Sequence, residues 1–356
     1  YLVKFDGGDY ITFKNMTFTA QGSSTKVFHF ESGSDYITLD GNILNGVETN
    51  STNSDESIIY SASGTTNSNI VIKNNTFNNG SYGMYFWGSS SNYEYITEII
   101  NNTFSEFSYI GIYLKYQNSP LIEGNTIVSS ETDGYSNQSG VNLSSCKWAT
   151  KVSKNFIQVH GTLVNYGLYM YGCQGVSGLE FEVSNNFISC HNSTSNSSGI
   201  YCQNSDYIQI YHNSVNVTDG NYNGKALSMY TCSDNEIVNN ILANTQTIDG
   251  GYSIYLYSVT IANHNYNNLI TNGTNLVNWD INDYTDLASW QTASGGDANS
   301  ISVDPVFFSA SDLHSTSSQI DNAGTPLSVV GDDIDGEARD ASNPDLGADE
   351  FTMYLN

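Results

Sequence analysis

The feature that most restricts the fold of this chain is a phrase it keeps repeating. "YITFKNMTF" (10–18), "NIVIKNNTF" (69–77) and "YITEIINNTF" (95–104) share an apolar–polar alternation followed by asparagine, threonine and phenylalanine. Taking the asparagine before that ending as a marker gives Asn15, Asn42, Asn75, Asn102, Asn125, Asn155, Asn186, Asn213, Asn240 and Asn268. Successive spacings are 27, 33, 27, 23, 30, 31, 27, 27 and 28, about 28 on average. A period of this size marks a stacked-repeat protein, in which each unit buries its apolar residues on its neighbours.

The segments before the markers alternate with period two: Ile11/Phe13, Ile37/Leu39, Ile70/Ile72 and Ile208/Ile210. That is the signature of a half-buried strand. A second strand recurs between markers as "GMYFWG" (83–88), "GIYLKY" (111–116), "GVNLSS" (140–145), "GLYMYG" (167–172), "GIYCQN" (199–204), "ALSMYT" (226–231) and "SIYLYS" (253–258). No repeat carries helical periodicity, and Pro120 is the sole proline before residue 300. Leucine-rich repeats lack support because their L-x-x-L-x-L pattern is missing, and a propeller blade needs about 40 residues. The pattern therefore predicts an all-β, right-handed parallel β-helix of about ten coils over 1–274, roughly 48 Å long at about 4.8 Å per coil. The marker asparagine is expected to sit at a strand-to-strand turn, where it tolerates left-handed backbone and stacks its amide in a ladder. On that reading the N-x-T sequence at Asn74-Asn75-Thr76 is structural, with its asparagine turned into the stack rather than offered for glycosylation.

Composition narrows the partners. Acids outnumber bases 36 to 10 for a net charge of −26, which argues against nucleic acid and anionic membrane surfaces. No apolar run approaches the length of a membrane span. Five cysteines (146, 173, 190, 202, 232) and six histidines show no zinc spacing, and the thiols read as buried and free, with a disulfide between Cys146 and Cys173 on neighbouring coils as the alternative. Residues 1–9 read as the end of a preceding coil, so the chain is expected to be a piece of something longer.

From about residue 275 the repeat stops and three of the four prolines appear, which suggests a capping segment over 275–356 packed on the β-helix and beginning with a short helix near Asp286–Gln291. "NSISVDPVF" (299–307), "DLHSTSSQIDNAG" (312–324) and "DIDGEARDASNPDLGADEF" (333–351) resemble the C-terminal part of bacterial right-handed parallel β-helix repeat proteins. The likeness is closest to secreted cell-surface proteins of Bacteroidota exported by the type IX pathway. That resemblance implies an extracellular module attached to other domains of a larger surface protein. It leaves activity open, because such proteins include adhesins, polysaccharide lyases and hydrolases.

Three candidate sites follow. If Met84, Ile112, Leu168, Ile200 and Ile254 point inward, then Tyr85, Tyr113, Tyr169, Tyr201 and Tyr255 point outward, and a second outward column holds Trp87, Tyr171, Tyr230 and Tyr257. Such an aromatic face could stack on sugar rings, and an uncharged surface or matrix glycan suits so acidic a chain; the alternative is stacking that only stabilises the sheet. Asp332, Asp333 and Asp335 lie in a D-x-D-G run that offers oxygen ligands for calcium, while Arg339 is suited to pin neighbouring carboxylates. For a lyase or glycoside hydrolase, the alternative reading, the mid-chain bases are Lys115, Lys147, Lys151, Lys154 and Lys225, with Glu131, Asp133 and Asp219 as loop acids. They form no catalytic motif, and the residues favour a non-catalytic adhesive or stalk module.

Overall fold

The computed structural model describes residues 1–129, 137–191, 195–218, 223–246 and 250–352. The chain forms a right-handed parallel β-helix of about ten coils. Each coil contributes one strand to each of three parallel sheets. Sheet A runs in parallel from Val3–Asp6 to Val277–Trp279, where Asn282–Tyr284 adds antiparallel; sheet B runs from Thr12–Lys14 to Ile261–Asn265, and sheet C from Thr17–Thr19 to Asn268–Thr271. The inward columns are the apolar residues of the repeat. In sheet A these include Met84, Ile112, Val141, Leu168, Ile200, Leu227 and Ile254, all buried. Full burial of side chains of this size contributes about 1.5–3 kcal/mol each. The glycine that opens most copies of the sheet A strand has a packing reason. A Cβ at Gly167 would lie 2.1 Å from Ile188 Cγ2, and one at Gly199 would lie 2.1 Å from Val215 Cγ1, so sheets A and C meet there without room for a side chain.

The turn from sheet B to sheet C uses two residues where the sequence suggested one. The first is left-handed: Asn15, Gly41, Asn74, Asn101, Gly124, Lys154, Asn185, His212, Asn239 and Tyr266 all have positive φ. The second is the ladder residue. Asn75 donates its backbone N–H to Asn102 Oδ1 at 2.9 Å, and its Nδ2 to the same oxygen at 3.1 Å and to the Leu39 carbonyl at 2.8 Å. The pattern runs through Asn42, Asn75, Asn102, Asn125, Asn155, Asn186, Asn213, Asn240 and Asn267. Two markers were therefore one residue off. Asn15 is a left-handed residue and Met16 holds the ladder place, donating its N–H to Asn42 Oδ1. At the other end the ladder residue is Asn267, not Asn268. The N-x-T acceptor Asn74 is likewise the left-handed residue. It is exposed at the turn and lies outside the ladder, with Nδ2 on Asp40 Oδ1, so the expectation that the N-x-T asparagine turns into the stack does not hold for the acceptor itself.

The ladder ends on a buried charge. Asn267 donates Nδ2 to Asp297 Oδ1 at 3.1 Å and its N–H to Ser300 Oγ at 2.8 Å. Asp297 also accepts from Ser300 Oγ, from Trp290 Nε1 at 2.7 Å and from His264 Nδ1 at 2.7 Å. Burial alone would raise this carboxyl, but its bonds to His264, Ser300 and Trp290 hold it below the usual range. Trp290 is brought there by helix α1 (Leu287–Ser294), whose Asp286 forms a capping box with Ser289 and whose left-handed Gly295 ends it. Sheet A itself continues past residue 274, since Val277–Trp279 pairs in parallel with Tyr252–Tyr257.

After α1 the chain turns back along the outside of the rod and rests on the left-handed turn residues. Thr325 and Asn239 exchange hydrogen bonds, and Gly347 donates its N–H to the Asn239 carbonyl. Ala348 bonds Ser214 Oγ, the Asp332 carbonyl accepts from Asn185, and Lys154 pairs with the Asp332 carboxylate at 2.7 Å. Arg339, 4% exposed, donates to Asn185 Oδ1, the Gly347 and Asp349 carbonyls and Glu350 Oε2. The segment thus acts as a clasp along the side of the coils as well as a plug at their end.

Candidate functional site

The outward face of sheet A carries a column in strict register: Tyr60, Tyr85, Tyr113, Asn142, Tyr169, Tyr201, Ser228, Tyr255 and Asn278. Where tyrosines are consecutive, their rings stack. Tyr60 and Tyr85 are 5.3 Å apart at 6°, Tyr85 and Tyr113 5.0 Å at 20°, and Tyr169 and Tyr201 4.9 Å at 3°. A stacked ring spends its faces on its neighbours and shows only its edge to solvent. The column's stacking is interrupted at Asn142 and at Ser228, where Tyr230 of the neighbouring column leans toward the two flanking rings.

Beside the interruption at Ser228 lies a cleft of about 590 Å³, bounded by Tyr166, Tyr201, Tyr230, Tyr252 and Tyr255, with Ser198 on its lining and Asn196, Asn223 and Asn278 on its polar side. Its floor is closed: Ser228 is fully buried and shares a 2.7 Å hydrogen bond with Ser198. Tyr230, from the neighbouring column, leans in with its centroid 5.3 Å from Tyr201 and 5.6 Å from Tyr255. Lys225 enters from the opposite side. Its ammonium donates to the Asn223 carbonyl at 2.7 Å and approaches Asn196 Oδ1 at 3.4 Å, and it lies 5.2 Å from the centre of the Tyr255 ring. Burial lowers its pKa to about 8. Burial also raises Tyr166 and Tyr230 to about 12, so both hydroxyls are neutral at physiological pH and able to donate and accept. Asn278 Oδ1, buried in the wall, has no hydrogen-bond partner. The cleft combines apolar ring surface with hydroxyl, amide and ammonium donors, the set that reads a ring bearing hydroxyl groups.

Of the nine aromatic residues singled out from the sequence, the cleft brings together Tyr201, Tyr230 and Tyr255. Tyr169 stacks on Tyr201 outside it. Tyr85, Trp87 and Tyr113 form a separate group nearer the N-terminus, with Lys115 capping Trp87 at 4.2 Å. Tyr171 and Tyr257 are the most exposed, at 43% and 51%. Sequence reasoning missed a third outward column: Tyr82, Ile110, Ser139, Tyr166, Ser198, Lys225 and Tyr252. Its signal was legible as the residue before the repeated glycine or its Ala226 and Ser253 equivalents.

Asp332, Asp333 and Asp335 do not converge. Asp332 pairs with Lys154. Asp333 is buried, with Oδ1 accepting the backbone N–H of Asp335 and Glu337, and Oδ2 that of Glu350. Asp335 bonds His314 Nε2 at 2.9 Å, and His314 Nδ1 bonds Asp312 at 2.5 Å. Against a burial effect that would lower it, Asp335 and Asp312 raise His314 to about 9, and burial raises nearby Asp349 to about 6. Among the bases considered for catalysis, Lys151 pairs with Glu182 and Lys147 lies over the Tyr93 ring. Glu131, Asp133 and Asp219 lie outside the described residues. All five cysteines are buried and free, with Cys202 and Cys232 Sγ 3.7 Å apart.

No curated protein matches the chain. A family described as "Periplasmic copper-binding protein (NosD)" matches residues 19–175, less than half of the chain and confined to the β-helix coils.

Proposed function

We propose that this chain is a non-catalytic β-helix module working outside the cytoplasm, and that it holds an uncharged glycan in the cleft at Ser228. The observation that carries this reading is the missing ring. Tyr201 and Tyr255 flank Ser228 in register, two coils apart, so their spacing is roughly 9–10 Å. Tyr230 leans into that gap, so a sugar ring rests against the rims of Tyr201, Tyr230 and Tyr255 on the side of Tyr166 and Tyr252, with Lys225, Ser198 and the asparagines around its hydroxyls. The periplasmic family matched over 19–175 supports the compartment, and the C-terminal resemblance supports a role as an adhesive or stalk part of a larger, type IX-exported surface protein.

Copper, named in that family's description, does not fit the matched stretch. Among the described residues there, no three His, Cys, Asp or Glu ligand atoms come within reach of one another. Cys146 and Cys173 are sealed in the core, and burial raises the Cys146 thiol well above its ordinary range.

The test is a glycan array and a panel of neutral polysaccharides with the intact chain and with Tyr201→Ala and Tyr255→Ala. Each variant is expected to bind on the order of tenfold more weakly, the loss of about one ring's stacking. Unchanged binding in both variants overturns the reading, and release of oligosaccharides from any polysaccharide replaces it with an enzymatic one.

A further inference from the structure

We infer that His314, Asp335 and Asp349 form a binding site for one divalent first-row transition cation, which staples the C-terminal clasp. The three side chains come from widely separated parts of the clasp, yet one ligand atom from each lies within 4.8 Å of the others. They face a cleft of about 560 Å³ that Phe308, Thr316, Glu337 and Phe351 also line. Three features point to a cation.

The first is spacing. His314 Nε2 and Asp335 Oδ2 are 2.9 Å apart. Two ligands each about 2.0–2.2 Å from one ion, at roughly 90–109°, lie about 2.8–3.6 Å apart, so this pair can keep its separation when a cation replaces the proton it now shares and Asp335 swings off the N–H line. The second is orientation. Asp312 holds Nδ1 at 2.5 Å and Phe187 sets its ring against the imidazole at 4.8 Å and 83°. This carboxylate–histidine pairing is the arrangement that turns the other ring nitrogen toward a metal. The third is Asp349. It is only 8% exposed, its backbone carbonyl accepts from Arg339, and its carboxylate lines the same cleft without a hydrogen bond to any described residue. A buried carboxylate without a donor is costly, and a cation between it and the imidazole supplies what is missing.

One imidazole nitrogen with two carboxylates suits zinc or copper(II) better than calcium, which takes oxygen ligands in larger number. When the cation binds, the proton on Nε2 passes to solvent, while Nδ1–H stays on Asp312. This site also relocates the metal suggested by the D-x-D-G run, because Asp335 alone of Asp332, Asp333 and Asp335 turns toward it.

The experiment uses the whole chain without a histidine tag, stripped with chelator and titrated calorimetrically with zinc chloride and, separately, calcium chloride. One zinc per chain is expected, at least tenfold tighter than calcium. Asp349→Asn and His314→Gln are each expected to weaken zinc at least tenfold. Asp349→Asn removes no side-chain hydrogen bond and relieves a buried charge, so in chelator its circular dichroism is expected to match the parent and its melting to be no lower. In cobalt(II)-loaded protein, the visible spectrum should carry a histidine contribution that His314→Gln removes. Absence of zinc binding, zinc binding indifferent to Asp349→Asn, or calcium binding as tightly as zinc each overturns the site.

Discussion

Two ladders run the length of this molecule, one inside and one outside, and they differ in continuity. The asparagine ladder passes through nine successive coils from Asn42 to Asn267 without a break and finishes on Asp297. The tyrosine ladder on sheet A is broken at Asn142 and again at Ser228. Each inner rung has one environment and one task, satisfying buried backbone groups, so substitution at any coil meets the same penalty. Each outer rung adds only ring-on-ring contact worth about 0.5–1.5 kcal/mol, so a rung is dispensable and its loss leaves a cavity between rings. Continuity marks the structural ladder, and the glycan cleft proposed above lies beside one of the interruptions of the other.

The largest effect should come from breaking the inner ladder near its middle. Asn155→Ala leaves the Asn125 N–H and Nδ2 without their shared acceptor and takes a donor from the Ile122 and Ser153 carbonyls. At about 1–3 kcal/mol per stranded buried group, the expected loss is about 3–5 kcal/mol in urea unfolding. A loss below about 1 kcal/mol would show that the ladder is ornamental. The ladder's end is milder. Asp297→Asn keeps an acceptor for Asn267 but removes the charge that faces His264, and about 2 kcal/mol is expected. Because the Asp297 carboxyl is held low, its stabilisation is present above about pH 4 and is lost as pH falls through its lowered value. Acid unfolding should therefore begin earlier in the parent, relative to its neutral-pH stability, than in Asp297→Asn.

The two ladders were unequally legible in the sequence. The inner one announces itself because every coil must solve the same turn with the same side chain, and the marker slipped by one residue only at the ends, where Met16 stands in for asparagine and where Asn267 and Asn268 lie side by side. The outer columns were legible by parity. Their meaning was not, since the cleft arises from an absent ring at Ser228 and from Lys225 and Tyr252, which precede the motif that defined the strand. The clasp was the least legible. Its residues carry no period, and its partners are the left-handed turn residues Lys154, Asn185, His212 and Asn239, whose shared place is invisible until the coils are stacked.

Filling the outer gap separates binding from stability. Ser228→Tyr completes the column between Tyr201 and Tyr255 and crowds the rims against which a sugar ring is proposed to rest. Glycan binding on the array should vanish, while stability falls by only about 1–2 kcal/mol, because the new ring displaces Tyr230 and Ser198 loses its hydrogen bond but ring stacking offsets part of the loss. The opposite pair of results, retained binding with a large stability change, would mean that the gap is a packing feature of the sheet and no binding site.

The smallest effect concerns the clasp, which should respond to pH in the opposite sense to the ladder's end. Burial raises Asp345 to about 7 and Asp349 to about 6, and the Asp335 and Asp312 carboxylates outweigh burial to raise His314 to about 9. All three folded values exceed the unfolded ones, so the docked clasp binds protons more tightly than the free segment. The stability this contributes is lost as pH rises, for the two carboxyls between about pH 4 and 7 and for the imidazole between about pH 6.5 and 9. In the presence of chelator, amide exchange over 312–350, corrected for the intrinsic rise of exchange with pH, should show less protection at pH 9 than at pH 6. The amides of the central coils should keep theirs. Equal protection of the clasp at both values would mean that Arg339, with its bonds to Asn185, Gly347, Asp349 and Glu350, holds the segment alone and that the titrating groups ride on a dock they do not control.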